Sequence, residues 1–274
     1  MSEILEILQQ LLKDLRFFDF TGHWTSARRE YINGFFHDCF KMAVEQLNPE
    51  ICELIGAFIG DGYLTNSGKT YTFGISGNRQ LDEDYLKNRV KSLIKRNFPF
   101  TEPRLHYRSD ENTLMLRVNS KRFYEFFVSL GFKKGKKSKT VKIPEVITEN
   151  DSYMNATIRG IFDTDGCVFF DKRASYKKPY PRVTLQMVSP GLIKQLQTYL
   201  SKHFMVYSRD YHRYGEYRGC VEIYGSRQLE SFLKKIGLSN RRHLSKIQIA
   251  SVAQPVVAPD FKGKPLSPQD LGMS

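Results

Sequence analysis

Hydrophobic positions recur at helical and strand spacing along most of the chain, and they come in a repeating order. Leu5, Leu8, Leu12 and Leu15 lie at helical spacing over residues 3–17, and a second apolar-periodic run follows at about 28–47. The stretch NPEICELIGAFIGDGYL then predicts a helix of about twelve residues ending at Asp61, with Asn48 as cap, Pro49 in the first turn and Gly62 as the C-terminal stop. After it, YTFGIS alternates as a strand and residues 82–97 are helical. RLHYRS and TLMLRV form a hairpin around DEN, and residues 120–130 return to helix.

Comparing the chain with itself shows why the order recurs. LIGAFIGDG (54–62) matches IRGIFDTDG (158–166) at an offset of 104, pairing Gly56 with Gly160, Phe58 with Phe162, Asp61 with Asp165 and Gly62 with Gly166. NSKRFYEFFVSLGF (119–132) matches GSRQLESFLKKIGL (225–238) at an offset of 106. The expected fold is therefore mixed α/β: two pseudo-symmetric αββαββα halves with antiparallel, saddle-shaped sheets. The expected organisation is a helical extension over 1–48, a first half over 49–132, a basic linker over 133–150, a second half over 151–254 and a flexible tail over 255–274. The lysine-rich KKGKKSKTVK motivates the linker, and the prolines after Pro255 motivate the tail.

Each repeated helix carries small residues at i, i+4 and i+8: Cys52, Gly56 and Gly60 in one, Ala156, Gly160 and Thr164 in the other. Glycine inside a helix costs about 1 kcal/mol against alanine. A close helix–helix contact is the natural compensation, because such a stripe lies on one face. Two such helices packed in parallel bring Asp61 and Asp165 together at their C-terminal ends, where the helix dipoles are negative. Two carboxylates there repel unless a cation sits between them, and hard oxygen ligands suit Mg²⁺. The competing reading is that each Asp-Gly only stops its helix and starts a turn.

Charge and composition narrow the partner. Lys plus Arg outnumber Asp plus Glu by 42 to 29, a formal net charge of +13, which favours a polyanionic partner. No apolar run approaches the roughly 18 residues that span a bilayer, and the acidic N-terminus lacks the features of a secretion signal. These features predict a cytoplasmic, nucleoid-associated protein with no membrane partner. The four cysteines lack metal-ligand spacing and read as reduced thiols. His106, His212 and His243 are isolated, and no histidine is assigned to a metal.

Strand alternation sorts the remaining candidates. Arg182, Thr184 and Gln186 face outward opposite Val183, Leu185 and Met187; Arg104, His106 and Arg108 face outward opposite Leu105 and Tyr107; Arg117 shares the outward set with Thr113 and Met115. Arg and Gln suit bidentate contact with base edges, and Lys136, Lys137 and Lys139 of the linker suit phosphate contact.

The paired nonapeptides resemble the motifs of the LAGLIDADG homing endonucleases in their single-chain, two-repeat form. LGFKKGKKSKTVKIPEVI leading into IRGIFDTDGCVFF, and KKIGLSNRRHLSKI later, resemble the archaeal and bacterial branch, with the resemblance covering about residues 50–250. It implies motif helices at the interface of the halves and sheets that straddle the DNA major groove. It also implies divalent metal, Mg²⁺ with Mn²⁺ or Ca²⁺ able to substitute in binding. The metal would be held by Asp61 and Asp165, with the carbonyls of Gly60 and Thr164 as further ligands. The implied protein is an intron-encoded monomer that cuts both strands of a long, specific double-stranded DNA site across the minor groove. The sixth motif position departs from the pattern, Ile59 in one copy and Asp163 in the other, and Asp163 is read as structural. A polar residue on a sheet strand near the metals is matched by Gln186 in the second half, an auxiliary catalytic position; in the first half only Asn78 or Arg79 is near. The lack of an N-terminal nucleophile and of a His-Asn end reads against an intein. The alternatives are an RNA-binding intron maturase on the same fold and a non-catalytic DNA-binding regulator.

Overall fold

The structure, a computed structural model, describes residues 40–109, 111–173 and 179–252. The helix expected at 3–17, most of that at 28–47 and the tail after 255 lie outside the described residues; residues 40–45 are helical.

Helix α1 (Pro49–Asp61) begins where the sequence places it: the Asn48 side chain accepts from the backbone N–H of Ile51 at 3.0 Å, and proline occupies the first turn. Residues Ile51–Ile59 of α1 are all buried, the pattern of a helix covered on every side. It leads directly into β1 (Gly62–Asn66) and β2 (Tyr71–Asn78). A π-helical segment, Tyr85–Val90, continues as α2 (Lys91–Asn97), and β3 (Arg104–Tyr107), β4 (Thr113–Asn119) and α3 (Lys121–Ser129) complete the half.

A short helix α4 (Glu145–Thr148) precedes α5 (Asp151–Asp165), which is capped by Asn150 through the N–H groups of Ser152 and Tyr153. The second half then repeats the first: β5 (Gly166–Asp171), β6 (Tyr180–Met187), α6 (Pro190–Leu200), β7 (Val206–Arg213), β8 (Glu216–Tyr224) and α7 (Ser226–Lys235), with a further helix α8 (Arg241–Val252). Both sheets are four-stranded and antiparallel with the same neighbour order, β1-β2-β4-β3 and β5-β6-β8-β7. The sequence repeat is thus a repeat of topology.

Strand alternation supplies the core. Phe73, Ile75, Leu114, Leu116 and Val118 face the helices of the first half, and Val183, Leu185, Val221 and Ile223 those of the second. Phe58 of α1 stacks on Phe73 and packs against Phe127 and Phe132; Phe162 of α5 packs against Phe232. These rings tie each motif helix to the sheet and helices of its own half.

The two halves meet along α1 and α5. A Cβ added at Gly160 would lie 2.6 Å from the Ala57 nitrogen, and one added at Gly56 would lie 2.8 Å from the Thr157 carbonyl carbon. Glycine is required because backbone touches backbone. The contacts run 53 to 160, 56 to 157 and 60 to 164, so the helices are parallel. At the centre of this seam the buried Glu53 carboxylate binds Arg89 of its own half (2.5 and 2.7 Å) and Arg159 of the other (3.1 Å). A buried carboxylate needs such partners, because leaving one unpaired costs several kcal/mol, roughly 3–5 when a pair is broken.

The segment expected as a linker is strapped to the second half at its end: Ile143 exchanges both main-chain hydrogen bonds with the Gln195 amide, and Ser189 donates to the Val141 carbonyl. Gly62 and Gly166 follow the motif helices as the expected stops, but neither adopts the left-handed conformation common at helix ends. Both are extended (φ −83° and −75°), and an added Cβ would strike the Phe58 and Phe162 backbones. Their smallness, not their conformational freedom, is what the turn requires. Among the described residues no helix is long and apolar enough to cross a membrane.

Candidate metal and nucleic-acid site

Parallel packing brings the C-terminal ends of α1 and α5 together, and with them Asp61 and Asp165. A Cβ placed on Gly60 would lie 2.7 Å from Asp165 Oδ2. Burial pushes the Asp61 carboxyl up to about 7, and the neighbouring Asp165 charge adds to it; Arg242, Asp82 and Lys137 follow. Asp165, the more exposed of the two, is raised by the protein around it, with Lys137 and Arg242 pulling the other way.

Two cations answer this charge. Lys137 Nζ donates to the carbonyls of Ile59 and Gly60, each at 2.8 Å. Arg242 donates through Nη2 to the Thr164 carbonyl. Gly60 and Thr164 are repeat partners, and Lys137 and Arg242 are 105 residues apart, within the offsets of the repeat. Each motif helix therefore ends in a basic side chain bound to the carbonyl just before its aspartate. Burial lowers the Lys137 amine to about 8.

The oxygen donors at this place are two carboxylates and two main-chain carbonyls, and Lys137 and Arg242 already stand where positive charge is needed. This donor set fits a hard divalent cation. Among the described residues no group of three or more His, Cys, Asp and Glu side chains could hold a metal, so the fit rests on the carboxylate pair with its carbonyls.

The charge has a measurable consequence for the free protein. A carboxyl raised from its ordinary value near 4 to about 7 binds more protons in the folded chain than in the unfolded one over that window. Stability is then fully present below pH ~4 and falls as pH rises toward ~7. Thermal unfolding of metal-free protein from pH 4 to 8 is expected to show this fall, with a flatter profile for Asp61→Asn. A divalent cation held by the pair would raise the wild-type midpoint at pH 8 and move that of Asp61→Asn less; titration with Mg²⁺ during the same scans checks this.

Below the site lies a buried polar layer. Asp163, fully buried, accepts from the N–H groups of Ser239 (2.9 Å) and Asn240 (3.0 Å), and burial raises it to about 7. It closes the chain entering α8 against α5. Asn240 Nδ2 reaches both the Asp163 carbonyl and Asp82 of the first half, and Asp82 accepts from Arg242 at 3.0 Å. His243, 2% exposed and lowered to about 4 by burial, accepts from Arg242 Nε.

The outward sheet faces hold the remaining candidates, with differences. Arg104, His106 and Arg108 are exposed on or just after β3, and Arg104 stands opposite Arg117 in the register. Arg108 pairs with Glu111, and Arg117 donates to the Tyr63 hydroxyl. Tyr63 lies across Gly74, where a Cβ would strike its ring. Tyr107 was expected to face inward; it is 46% exposed because β3 is an edge strand that the helices do not cover, and it donates to Glu83. Arg182 faces outward but its side chain is only 13% exposed, paired with Asp171 at 2.9 Å and laid over the Tyr224 ring. Thr184 is half-buried; Gln186 is exposed and donates to the Tyr211 hydroxyl.

Lys137 is no free phosphate-contacting lysine, since it is drawn into the seam; Lys136 is exposed and Lys139 pairs with Glu216 at 2.9 Å. Leu185 pairs with Gly166 as Ile75 pairs with Gly62, so the first-half counterpart of Gln186 is Ser76, not Asn78 or Arg79. Asn78 instead caps the following turn, accepting from Gln80 and Leu81, and Arg79 lies over Tyr107. Arg242 and Asp82 escaped the sequence reading; the repeat offset linking residues 137 and 242 was the available signal.

Residues 152–237 match the LAGLIDADG-like domain model. The chain is 30% identical over 206 residues to a replication factor C small subunit of Methanocaldococcus jannaschii, covering 73% of this chain and 10% of that protein. It is 32% identical over 210 residues to the Thermococcus kodakarensis replication factor C small subunit, covering 76% and 22%. The chain thus spans about a tenth and about a fifth of these relatives. The homing endonuclease I-DmoI, solved in complex with DNA and Mn, aligns at 18% identity with a TM-score of 0.49, over 70% of this chain and 98% of that one. The second half of the chain thus carries a LAGLIDADG-like domain, and the first half repeats its motif, its sheet order and its side of the helix seam.

Proposed function

We propose that the chain is a site-specific endonuclease that cuts both strands of double-stranded DNA with a divalent metal, Mg²⁺ in the first instance. The observation that carries the reading is the meeting of Asp61 and Asp165 at the parallel ends of α1 and α5, between two sheets whose outward faces bear Arg104, His106, Arg108 and Gln186. Two carboxylates held in opposition at a fixed seam are unfavourable for folding, and a metal-dependent reaction gives them a use.

Asp61 and Asp165, with the carbonyls of Gly60 and Thr164, would hold the metal. When bound, such an ion polarises a phosphodiester and neutralises charge that develops on its oxygens. The chain's own residues do the rest. The outward side chains of β3, β4, β6 and β8 set the register on the duplex, with Arg and Gln suited to base edges. Lys136 and the other exposed lysines of 133–139 hold phosphates and carry no sequence information. Lys137 and Arg242, released from their carbonyls, are placed to take up phosphate charge at the cut. Gln186 is an auxiliary group beside Asp165, one strand position past the residue paired with Gly166. The protein acts as a monomer because one chain supplies both motifs.

The test is selection of cleaved sites from a randomised or host-genome DNA library with Mg²⁺, followed by linearisation of a plasmid carrying the selected site. Staggered double-strand cuts that vanish with chelator support the reading. Cutting that persists without divalent metal overturns it. Tight binding to intron RNA with no DNA cutting selects the maturase alternative. Lys137→Met is expected to slow cutting by about tenfold or more, because removing one charged partner of a reacting phosphate costs about 1.4 kcal/mol or more. An unchanged rate would remove Lys137 from the site.

A further inference from the structure

The two basic residues at the site are held in different ways. Lys137 is held by main-chain carbonyls, those of Ile59 and Gly60, on a segment rich in lysine. Arg242 is held by a buried carboxylate. Asp82, 5% exposed, comes from the turn after β2 in the first half and accepts from Arg242 Nη1 at 3.0 and 3.3 Å. Asp82 is itself fixed by two further donors, Asn78 N–H at 2.9 Å and Asn240 Nδ2 at 2.8 Å. Asn240 in turn is bound through its N–H to the Asp163 carboxylate and through Nδ2 to the Asp163 carbonyl. His243 accepts from Arg242 Nε at 3.1 Å and so fixes the guanidinium plane.

This chain of bonds crosses the seam between halves, and among the described residues Lys137 has no matching carboxylate clamp. Ile75 and Leu185 are the residues paired with the glycines that follow the motifs. Asp82 stands directly before the helix that follows β2; the corresponding place before α6 is held by Ser189, a buried hydroxyl that caps α6 and donates to the Val141 carbonyl, with no carboxylate to grip Lys137. The pseudo-symmetric fold therefore carries a carboxylate clamp on one basic side chain and not on the other. A planar guanidinium gripped on three sides is preorganised; an ammonium on a flexible stem is not.

We propose that Asp82 and Asn240 are positioning residues that clamp Arg242 at the Thr164 end of the site, and that the two DNA strands are consequently cut by unequal centres, one dependent on this clamp and one independent of it. The strand part rests on the endonuclease reading above; the clamp does not.

Two measurements separate these parts. In metal-free protein, the Arg242 Nε–H resonance in ¹⁵N spectra should exchange slowly in the wild type and collapse toward free-arginine exchange in Asp82→Asn. Arg242→Met assigns the signal, and the unfolding midpoint of each variant confirms that it is folded. An Arg242 signal unaltered by Asp82→Asn overturns the clamp. With the two strands of a selected site labelled separately, Asp82→Asn should slow one strand at least about tenfold and the other by less than about twofold, so that nicked circles accumulate. Adding Arg242→Met to Asp82→Asn should bring little further loss, since the two act as one unit. Equal slowing of both strands, or fully additive losses, overturns the unequal centres. A wild-type protein that cuts no selected DNA overturns the endonuclease reading instead, while the exchange measurement still decides the clamp.

Discussion

Asp61→Asn and Asp165→Asn should each leave a protein that folds and binds its DNA but no longer cuts it. The substitution keeps size and one oxygen, so α1 and α5 still pack along Gly56 and Gly160. The charge that retains the metal is halved. Metal ions contribute several kcal/mol of charge stabilisation in such reactions, and a loss of about 4 kcal/mol is about a thousandfold in rate. The measurement is cleavage of a selected site in Mg²⁺ beside DNA affinity in Ca²⁺. Cleavage is expected to fall about a thousandfold or more with affinity nearly unchanged, because the sheet faces and the exposed lysines make the contacts. Full activity in both variants would show that the carboxylates are only helix stops. The same variants should be more stable than the wild type near pH 8 without metal, since each removes a carboxylate charge from a place where burial first, and the neighbouring Asp165 second, hold Asp61 near 7.

Gly160→Ala should destabilise the protein by about 3 kcal/mol, although it adds only one methyl group. In an exposed helix the change gains about 1 kcal/mol. Here the added carbon would lie 2.6 Å from the Ala57 nitrogen and 2.9 Å from the Gly56 carbonyl carbon, both rigid backbone. The helices would have to separate, and with them the two halves and their carboxylates. Overpacking of a core costs about 1–3 kcal/mol and occasionally more; with backbone as the obstacle, a net loss of about 3 kcal/mol is expected. Gly56→Ala should behave alike. Gly191→Ala is the contrast: its added carbon meets only the Lys142 side chain, which can move, so stability should hold within about 0.5 kcal/mol or rise. Urea unfolding of the three variants checks the order. A neutral Gly160→Ala would mean that the seam is looser than the structure has it.

The sequence by itself determined the repeat, and through it most of the architecture. The helix cap at Asn48, alternation in TLMLRV and RVTLQM, and the small-residue stripes are local signals, and local signals survive translation from chain to fold. A glycine that pays a helix penalty twice at one register also points at its partner helix, which is why the meeting of Asp61 and Asp165 was legible. Tertiary structure alone decided what stands around them. Lys137 looked like one of six lysines in a solvated run; only the close approach of that run to the end of α1 makes it a site residue. Arg182 looked free on its alternating strand until Asp171 and Tyr224 enclosed it. Arg242 and Asp82 lie 160 residues apart, and no periodicity links a turn in one half to a helix after the other. Periodic patterns report which face of an element is buried; they carry no information about which distant charge will complete it, because that depends on how two finished halves dock.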